Sequence, residues 1–496
     1  MSAIPTTSPV KHPGRFFIDG EWATPSGASK INVINCATEE LFLSVAEAQE
    51  ADVNRAVAAA KAAFESGPWP RMSHAERAGY LRAIARELAL RGDDSAKIWV
   101  TESGVTNNLA QMVSGSILGG IYDYYAGLAD TFVFEERRTP SPGMGNVGLI
   151  VREPVGVVAA IIPWNSPNTL IAYKVAPALL AGCTVIIKAS PEAPGAAYVI
   201  AEVCEKVGLP RGVLNILTAD RAVSELIVRH PDVDKVTFTG STAAGKRIAA
   251  ICGERIARCT LELGGKSAAV ILDDYDLGTA ATTISSLASM MTGQVCSSLT
   301  RIVVTRRRHD ALVDALSASF SKVKVGNPLD PSTEMGPLAM SRQRDRVEGY
   351  IAKGRAEGAK LATGGRRPAH LDRGYYIEPT VFGNVHNSMT IAREEIFGPV
   401  LSVIPVDNEA AAVEVANDTV YGLNASVFTN DVERAYSTAR RLRSGTVGHN
   451  SFRTDFGIAF GGFKQSGIGR EGGTEGVLPF LETKTVILDA QPMHIK

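Results

Sequence analysis

Runs of apolar, largely β-branched residues alternate with helical segments between residues 155 and 252, and this alternation constrains the fold more than any other feature. Four runs predict strands, at 155–162, 184–188, 213–217 and 235–239. Helical periodicity predicts helices between and after them, at 168–181, 193–207, 221–229 and 242–252. Strands that alternate with helices form parallel sheets, and strands that are apolar throughout have both faces covered. The sequence therefore predicts an α/β unit around a parallel sheet.

The same alternation restarts near Thr260 and predicts a second α/β unit. Its strands are expected at 267–272, 301–305, 400–404 and 425–428. Helices are expected at 276–292, 306–322, 341–357 and 407–417, and two others precede the first unit at 52–65 and 74–91. Two units suit a chain of 496 residues, because single cores stop growing at roughly 250–300 residues. The run at 483–488 predicts a strand with no following helix, which indicates pairing elsewhere, for example with another subunit.

Composition and charge argue against several classes of function. The chain carries 51 basic and 52 acidic residues, so electrostatics gives no reason to expect nucleic acid or a membrane surface as a partner. No stretch approaches the ~20 apolar residues of a membrane span, and the N-terminal residues lack the apolar run of a signal peptide. The six cysteines form no CxxC pair and the eight histidines no HExxH motif, so we expect neither a disulfide framework nor a metal. These features favour the cytoplasm.

Glycine-rich turns offer candidate phosphate sites. The segments 143–148 and 467–472 match GxGxxG, but neither joins a strand to a helix as a dinucleotide fingerprint requires, so both are interpreted as loops. At 238–242 a predicted strand runs into a predicted helix. Gly240 permits a tight turn, Ser241 can cap the helix and Gly245 allows close packing, which suits a bound phosphate. Ordinary strand-to-helix turns share this pattern, so both interpretations stay open at this point.

Three reactive or polar side chains stand out near predicted strand ends. Cys296 lies in GQVC after a predicted helix, although most cysteines of such a chain are expected to be inert core residues. Glu262 lies in an apolar strand before two glycines, and is either a functional buried acid or a solvated strand end. Asn165 follows the strand at 155–162, where open α/β sheets bind ligands, and is either a turn residue or a hydrogen-bond donor.

Together these segments resemble one family, the NAD(P)-dependent aldehyde dehydrogenases, over nearly the whole chain. The resemblance rests on eight motifs in order: PWN (163–165), KASPE (188–192), FTGST (238–242), ELGGKS (262–267), GQVC (293–296), EEIFGPV (394–400), YGLNASVFT (421–429) and FGGFKQSGIGRE (460–471). Chance agreement of eight ordered motifs is negligible. The resemblance implies an NAD-dependent enzyme that oxidises an aldehyde to a carboxylic acid.

The resemblance also implies catalytic roles for five residues. Cys296 is the nucleophile that attacks the aldehyde carbon and carries the thioester. The Asn165 amide, with the Cys296 backbone N–H, holds the oxyanion. Glu262 is the general base that activates water for hydrolysis. Lys174 and Glu471 match positions that relay protons from Glu262, unless they form only a fold-supporting ion pair.

A second group of residues is implied to bind NAD: Trp164, Lys188, Glu192, Gly240, Ser241, Gly245, Glu395 and Phe397. Lys188 and Glu192 resemble the pair that holds the adenosine ribose, and an acid there would repel a 2′-phosphate, which favours NAD over NADP. The chain departs from the pattern here, because Glu192 follows Lys188 by four positions, with Pro191 between them. Ser241 matches a pyrophosphate contact, and Glu395 and Phe397 match contacts to the nicotinamide half.

The substrate funnel is expected to be lined by Ser166, Leu170, Tyr173, Val295, Phe452 and Phe456. These residues are mostly apolar or aromatic, which predicts a hydrophobic aldehyde: aromatic, terpenoid or medium aliphatic. Arg453 leaves a semialdehyde open, because an arginine can pair with a carboxylate. Three further possibilities stay open: an enzyme that transfers the acyl group to CoA, one that prefers NADP, and a non-catalytic protein on the same scaffold.

The implied architecture is a Rossmann-like NAD-binding domain, a catalytic α/β domain and a small β oligomerisation arm. The expected bounds are 1–127 and 151–260 for the first domain, 261–475 for the second, and 128–150 with 476–496 for the arm. In this picture the strand at 483–488 extends a neighbouring subunit's sheet. A homodimer or homotetramer is expected by analogy with the family.

Overall fold

The computed structural model describes residues 8–492, which form a mixed α/β fold around two large sheets. The strands are β1 (Phe16–Ile18), β2 (Glu21–Ala23), β3 (Lys30–Ile34), β4 (Leu41–Ala46), β5 (Glu135–Arg138), β6 (Val147–Pro154), β7 (Val157–Ile161), β8 (Thr184–Ala189), β9 (Leu214–Thr218), β10 (Lys235–Thr239), β11 (Arg258–Glu262), β12 (Ser267–Ile271), β13 (Leu299–Thr305), β14 (Lys360–Thr363), β15 (Thr380–Gly383), β16 (Val400–Val406), β17 (Asn424–Phe428), β18 (Thr446–His449), β19 (Gly467–Ile468) and β20 (Leu481–Leu488).

The α-helices lie mostly between strands and cover the sheet faces. They are α1 (Glu50–Glu65), α2 (His74–Leu90), α3 (Gly92–Ser103), α4 (Asn107–Met112), α5 (Leu118–Thr131), α6 (Pro167–Ala181), α7 (Gly195–Lys206), α8 (Arg221–Arg229), α9 (Thr242–Glu254), α10 (Leu277–Ser289), α11 (Arg306–Phe320), α12 (Ser341–Ala356), α13 (Thr390–Arg393), α14 (Glu409–Asn417) and α15 (Val432–Ala439). Each helix predicted from periodicity is present, within a few residues of its expected bounds.

The first sheet has eight strands in the order β19-β11-β10-β7-β8-β9-β1-β2. Its centre, from β11 to β9, is parallel, as the alternation of strands and helices predicts. Strands β7 to β10 are buried along their whole length, which explains why they are apolar on both faces. The antiparallel edge strands β1 and β2 have three residues each, too few to show a strand pattern in the sequence.

The second sheet has seven strands in the order β14-β15-β16-β13-β12-β17-β18, and all neighbours but β14 and β15 are parallel. The four strands predicted for this unit form its centre. Helix α10 ends at Ser289, three residues earlier than predicted, because Met291 and Thr292 adopt φ of 51° and 56°. Such left-handed backbone cannot continue an α-helix.

The strand limits differ from the predicted domain division at both ends of the second unit. Glu262 still belongs to β11 of the first sheet, and β19 returns near the C-terminus to pair antiparallel with β11. Gly467 makes this return possible, because a Cβ there would overlap the carbonyl oxygen of Leu261. The chain therefore crosses between the two sheets twice, through the segments 263–266 and 450–466.

A third sheet, in the order β20-β6-β5, stands apart from the other two. Strand β20 pairs with β6 of the same chain over eight residues, from Leu481 opposite Pro154 to Leu488 opposite Val147. The C-terminal strand therefore pairs within its own chain. The sequence alone indicates pairing elsewhere, for example with another subunit. The other partner of β6 is β5, which begins at Glu135 rather than near 128, because helix α5 runs on to Thr131.

Among residues 8–492, no helix is long and apolar enough to cross a membrane. In the same range, no group of three or more His, Cys, Asp or Glu side chains could hold a metal ion. The apolar cores lie on both faces of the first sheet and on both faces of the second. The buried polar side chains with motif signals gather between these two sheets.

Candidate active site

The candidate site lies where the carboxyl ends of the first sheet meet the amino ends of the second. Asn165 follows β7, and Glu262 ends β11. From the other side, Cys296 precedes β13 and Glu395 precedes β16. The carboxyl ends of parallel strands are where open α/β sheets bind ligands. The two sheets therefore bring residues far apart in the chain to one cleft.

Cys296 is held by a strained and tightly packed loop. The two residues at positive φ, Met291 and Thr292, turn the chain after α10, and such strain persists only where its surroundings enforce it. Gly265 lies against this loop, since a Cβ there would overlap the Cys296 carbonyl oxygen. The thiol itself is partly buried. Burial, then the carboxylates of Glu395 and Glu262, raise the pKa of the Cys296 thiol to about 12.

Asn165 is fixed to the same loop by its side chain. Its Nδ2 donates to the backbone oxygen of Gln294 at 2.9 Å, and its own backbone oxygen accepts from Trp99 Nε1 at 2.8 Å. The amide nitrogen carries two hydrogens, so one remains for another acceptor. The buried Gln294 side chain in turn accepts from the Ala339 backbone N–H at 3.0 Å. Asn165 is therefore a positioned donor beside Cys296, rather than a plain turn residue.

Glu262 is a buried acid that has no hydrogen-bonding partner among residues 8–492. It is 2% exposed, and neither of its carboxylate oxygens is hydrogen-bonded within that range. Burial and then the nearby Glu471 carboxylate raise the pKa of Glu262 well above its usual range, outweighing Lys174 and Arg470. The approach to it is narrow, because a Cβ on Gly461 would lie 2.7 Å from Glu262 Oε1. Glu262 is not a solvated strand end; its raised pKa makes its carboxylate a stronger base than that of an exposed glutamate.

Lys174 and Glu471 form a buried ion pair beneath Glu262. Their side chains are 0% and 4% exposed, and Lys174 Nζ contacts Glu471 Oε1 directly. The same ammonium donates to Thr239 Oγ1 at 2.7 Å. The pair thus ties α6 to β10 and to the segment after β19. Both predicted meanings, a relay and a structural pair, are compatible with this arrangement.

The strand-to-helix turn after β10 has the geometry expected of a phosphate site. Ser241 is the N-cap of α9, and its Oγ accepts from the Ala244 backbone N–H at 3.3 Å. Gly240 donates its N–H to the Glu262 backbone oxygen at 3.0 Å, which links this turn to the end of β11. Gly245 packs so closely on Leu263 that a Cβ would overlap that side chain. The turn therefore places a helix N-terminus next to Glu262.

Glu395, Phe397 and Trp164 line the middle of the cleft. Glu395 Oε1 accepts the Gly265 N–H at 3.1 Å, and burial raises the pKa of Glu395 to about 7. Phe397 has φ of 60°, and its ring meets the Trp164 ring edge-on at 5.3 Å between centroids. Gln343 of α12 donates to the Phe397 backbone oxygen at 2.7 Å and holds this strained turn.

Lys188 and Glu192 lie at the other end of the cleft, and Glu192 has a partner that the sequence does not reveal. Lys188 is 7% exposed, and burial lowers its pKa to about 8 against the opposing charges of Glu192 and Asp220. Glu192 forms an ion pair with Arg342 of α12 and accepts from Ser190 Oγ. An ion pair therefore spans the two α/β units here.

The predicted substrate residues do not all gather in one place. Phe456 meets the Tyr124 ring edge-on at 6.0 Å, and with Tyr173 it packs against the larger apolar cluster of the first unit. Phe452 packs instead against the second sheet's cluster, because it follows β18. Leu170, Val295 and Ser166 are partly buried near the cleft, whereas Arg453 is exposed. Tyr124 joins this group although no motif marks it.

Three residues of the site carry no sequence signal that could have found them: Trp99, Tyr124 and Arg342. Each acts through a contact between elements distant in the chain; Trp99 and Tyr124 belong to helices that the sequence leaves unassigned, and Arg342 belongs to the predicted helix at 341–357. A fourth residue, Gln294, lies inside a recognised motif, GQVC, where its side chain braces the loop.

Known proteins match this chain over nearly its whole length. The model of the aldehyde dehydrogenase family matches residues 22–486. Geranial dehydrogenase of Castellaniella defragrans is 44% identical over 472 residues, which are 95% of this chain and 98% of the relative. An aldehyde dehydrogenase of Mycobacterium tuberculosis, complexed with NAD+, is 45% identical with a TM-score of 0.94, covering 99% of both chains. A variant of aldehyde dehydrogenase C of Pseudomonas syringae, complexed with NAD+ and octanal, is 38% identical with a TM-score of 0.94, covering 98% of this chain and 100% of that one.

Proposed function

The chain belongs to the aldehyde dehydrogenase family, and we propose that it oxidises hydrophobic aldehydes through a thioester on Cys296. It is an NAD-dependent enzyme whose product is the carboxylic acid. The observation that carries the proposed mechanism is the convergence of Cys296, Glu262 and Asn165 from two sheets on one cleft.

The cleft's donor set fits NAD. The α9 N-terminus, capped by Ser241, offers N–H groups to a pyrophosphate. Glu395 lies in a cradle open only because Gly264 lacks a Cβ, which would overlap its carboxylate. We assign Glu395, Phe397 and Trp164 to the nicotinamide half and Lys188 to the adenosine ribose. When bound there, NAD supplies the acceptor for the hydride that leaves the substrate carbon.

The first chemical step is addition of the Cys296 sulfur to the aldehyde carbon. The thiol must lose its proton first, because its raised pKa keeps it protonated at neutral pH. Two carboxylates, those of Glu395 and Glu262, are within electrostatic reach to accept it. As the S–C bond forms, the carbonyl electron pair moves to oxygen, and the second Asn165 amide hydrogen donates to that oxyanion. Such a donor contributes about 2.7–4 kcal/mol to the transition state.

Hydrolysis of the thioester completes the cycle. After releasing any proton taken from the thiol towards the Lys174–Glu471 pair, Glu262 removes a proton from water, the resulting hydroxide adds to the thioester carbon, and the C–S bond breaks to release acid and thiolate. Glu262 then passes its proton towards the Lys174–Glu471 pair, which adjoins it beneath the cleft. A general base of this kind contributes roughly 10²–10⁴-fold to the rate. A CoA-acylating enzyme would not need this base.

The substrate is proposed to be an apolar aldehyde. The apolar or aromatic residues assigned to the substrate pocket, Leu170, Tyr173, Val295 and Phe456, are all partly buried. Geranial and octanal, named with two of the relatives, are aldehydes of this class. Arg453, the residue that would pair with a charged substrate, is exposed. We also propose that the enzyme is a homodimer or homotetramer of the cytoplasm, where its six free cysteines would stay reduced.

The test is an aldehyde panel measured with NAD and without CoA. We expect kcat/KM for octanal, geranial or benzaldehyde to exceed that for succinate semialdehyde by at least tenfold, with the free acid as product. A preference for the semialdehyde would contradict the apolar pocket. Cys296→Ala is the control, and NADH formation at the native rate by that variant would contradict the thioester mechanism.

A further inference from the structure

The ion pair between Glu192 and Arg342 changes what the adenosine end of the cleft can accept. In Rossmann-type sites an acid near the second strand binds the ribose 2′-hydroxyl and excludes a 2′-phosphate, whereas a nearby arginine accommodates the phosphate. Glu192, after β8, is the acid of this chain. Pro191 stands before it, so the residue three positions after Lys188 carries no charge.

The Glu192 carboxylate is already committed. Its Oε1 is paired with Arg342, and its Oε2 accepts from Ser190 Oγ. Burial raises the pKa of Glu192, but these two partners outweigh burial and keep it below the usual range. The carboxylate is therefore ionised, but the positive charge of Arg342 offsets its negative charge. It repels a second anion less strongly than an unpaired carboxylate would.

Arg342 is held over the cleft but keeps room to bind. It lies in the first turn of α12, and the next residue, Gln343, anchors that turn to the Phe397 backbone oxygen at 2.7 Å. The Arg342 side chain is 58% exposed, against 20% for Glu192. A guanidinium has five N–H donors, so pairing with one carboxylate oxygen leaves donors for a phosphate.

The remaining charges at this end balance. Lys188 and Arg342 are cationic, and Glu192 and Asp220 are anionic. Asp220 is occupied as the N-cap of α8, where its Oδ1 accepts from the Val223 N–H at 3.1 Å. An incoming phosphate thus meets one shared arginine and one buried lysine, with both carboxylates already hydrogen-bonded.

We propose that Arg342 makes the adenosine end of the cleft tolerant of a 2′-phosphate, so that the enzyme binds NADP as well as NAD. This rests on the proposed dinucleotide site, in which Lys188 marks the adenosine ribose. The sequence alone favours NAD because Glu192 would repel the phosphate, and the structure supplies the cation that removes this objection.

The experiment compares the dissociation constants of NAD and NADP, measured by quenching of tryptophan fluorescence, for the wild type and Arg342→Ala. Loss of one charged hydrogen bond to a phosphate weakens binding by roughly one to two powers of ten. We therefore expect the ratio Kd(NADP)/Kd(NAD) to rise at least tenfold in Arg342→Ala, and further in Arg342→Glu. Arg355→Ala, an exposed arginine at the other end of α12, should leave the ratio unchanged.

A ratio that changes less than threefold in both Arg342 variants overturns the proposal. Added salt gives a second readout, because it screens the attraction between Arg342 and the 2′-phosphate. From low to high ionic strength, the ratio Kd(NADP)/Kd(NAD) should therefore rise more in the wild type than in Arg342→Ala. Lys188→Met tests the premise, that Lys188 binds the adenosine ribose, separately from the proposal that Arg342 tolerates a 2′-phosphate. If that variant weakens NAD binding while Arg342→Ala leaves the ratio unchanged, only this inference fails. If it leaves NAD binding unchanged, the ribose assignment fails as well.

Discussion

Glu262 is 2% exposed and has no hydrogen-bond partner among the described residues, an arrangement that lowers the stability of the fold. It lies near the Cys296 thiol, whose pKa is raised. Burial of an unpaired charge is disfavoured in any fold. Burial, more than any neighbouring charge, raises the pKa of the Glu262 carboxyl. The Glu262 carboxylate in turn contributes, after burial and Glu395, to the raised pKa of the Cys296 thiol, which links the two groups of the proposed mechanism.

Replacing Glu262 by Gln removes the proposed base without changing the side-chain volume. We expect steady-state turnover to fall roughly 10²–10⁴-fold, because the thioester is no longer hydrolysed. A single burst of about one NADH per active site should remain in stopped-flow experiments, because Glu395 can still accept the thiol proton. Full steady turnover would contradict the assignment, and the exposed Glu433→Gln serves as the control.

The raised pKa of Cys296 also predicts how the thiol reacts in the absence of cofactor. Only the thiolate is alkylated, and a raised thiol pKa means that its fraction still grows with pH above the ordinary cysteine range. The rate of alkylation by iodoacetamide should therefore keep rising, close to tenfold per pH unit, from pH 8 to pH 10. Glu395→Gln removes one of the raising charges and should shift the profile to lower pH. A plateau near pH 8.5 in the wild type would contradict this.

At the scale of elements, the buried pair Lys174–Glu471 joins α6, β10 and the segment after β19. Lys174→Met leaves Glu471 buried and unpaired, which typically destabilises a protein by about 3–5 kcal/mol. We expect a clear fall in the thermal unfolding temperature. The exposed pair Arg366–Glu378 is the matched comparison, and Arg366→Met should cost less than about 1 kcal/mol. Equal effects of the two substitutions would show that burial does not matter at Lys174.

The elements found from sequence are those whose own residues carry the signal. The central strands of both sheets are continuous apolar runs, and their helices have a clear periodicity. The elements that were missed, such as β1, β2 and β19, have two or three residues and exist only because a neighbouring strand offers an edge. The helices from 92 to 131 were missed because they follow α2 with little interruption and carry small residues.

In the candidate site, too, the residues predicted from sequence are those that carry a local signal. Cys296, Glu262 and Asn165 were found because ordered motifs mark them. The ion pair of Arg342 with Glu192 was not, because it depends on the relative placement of two units that the sequence describes only separately. The packing of Phe452 also depends on how the two units are placed. Phe452 shares a loop with Phe456 but packs against the second sheet's cluster, whereas Phe456 packs against the first unit's cluster.

At the scale of the whole molecule, the third sheet ends in an edge strand. Within residues 8–492, β20 pairs only with β6, and Ile487 on it is 54% exposed. We propose that this face contacts another subunit, and expect Ile487→Glu to lower the oligomeric mass measured by light scattering. Leu90→Glu, at an exposed position on α2, is the control. An unchanged mass for Ile487→Glu would remove this face from the interface.

Two short segments, 263–266 and 450–466, connect the sheet that carries the base to the sheet that carries the nucleophile. The reacting groups are therefore aligned by the packing of the two units against each other. Ångström-scale misplacement of reacting groups can cost about 10²-fold in rate. Substitutions deep in either hydrophobic core, far from any substrate, should therefore often produce well-folded but slow enzymes, and screens that score only solubility would pass them.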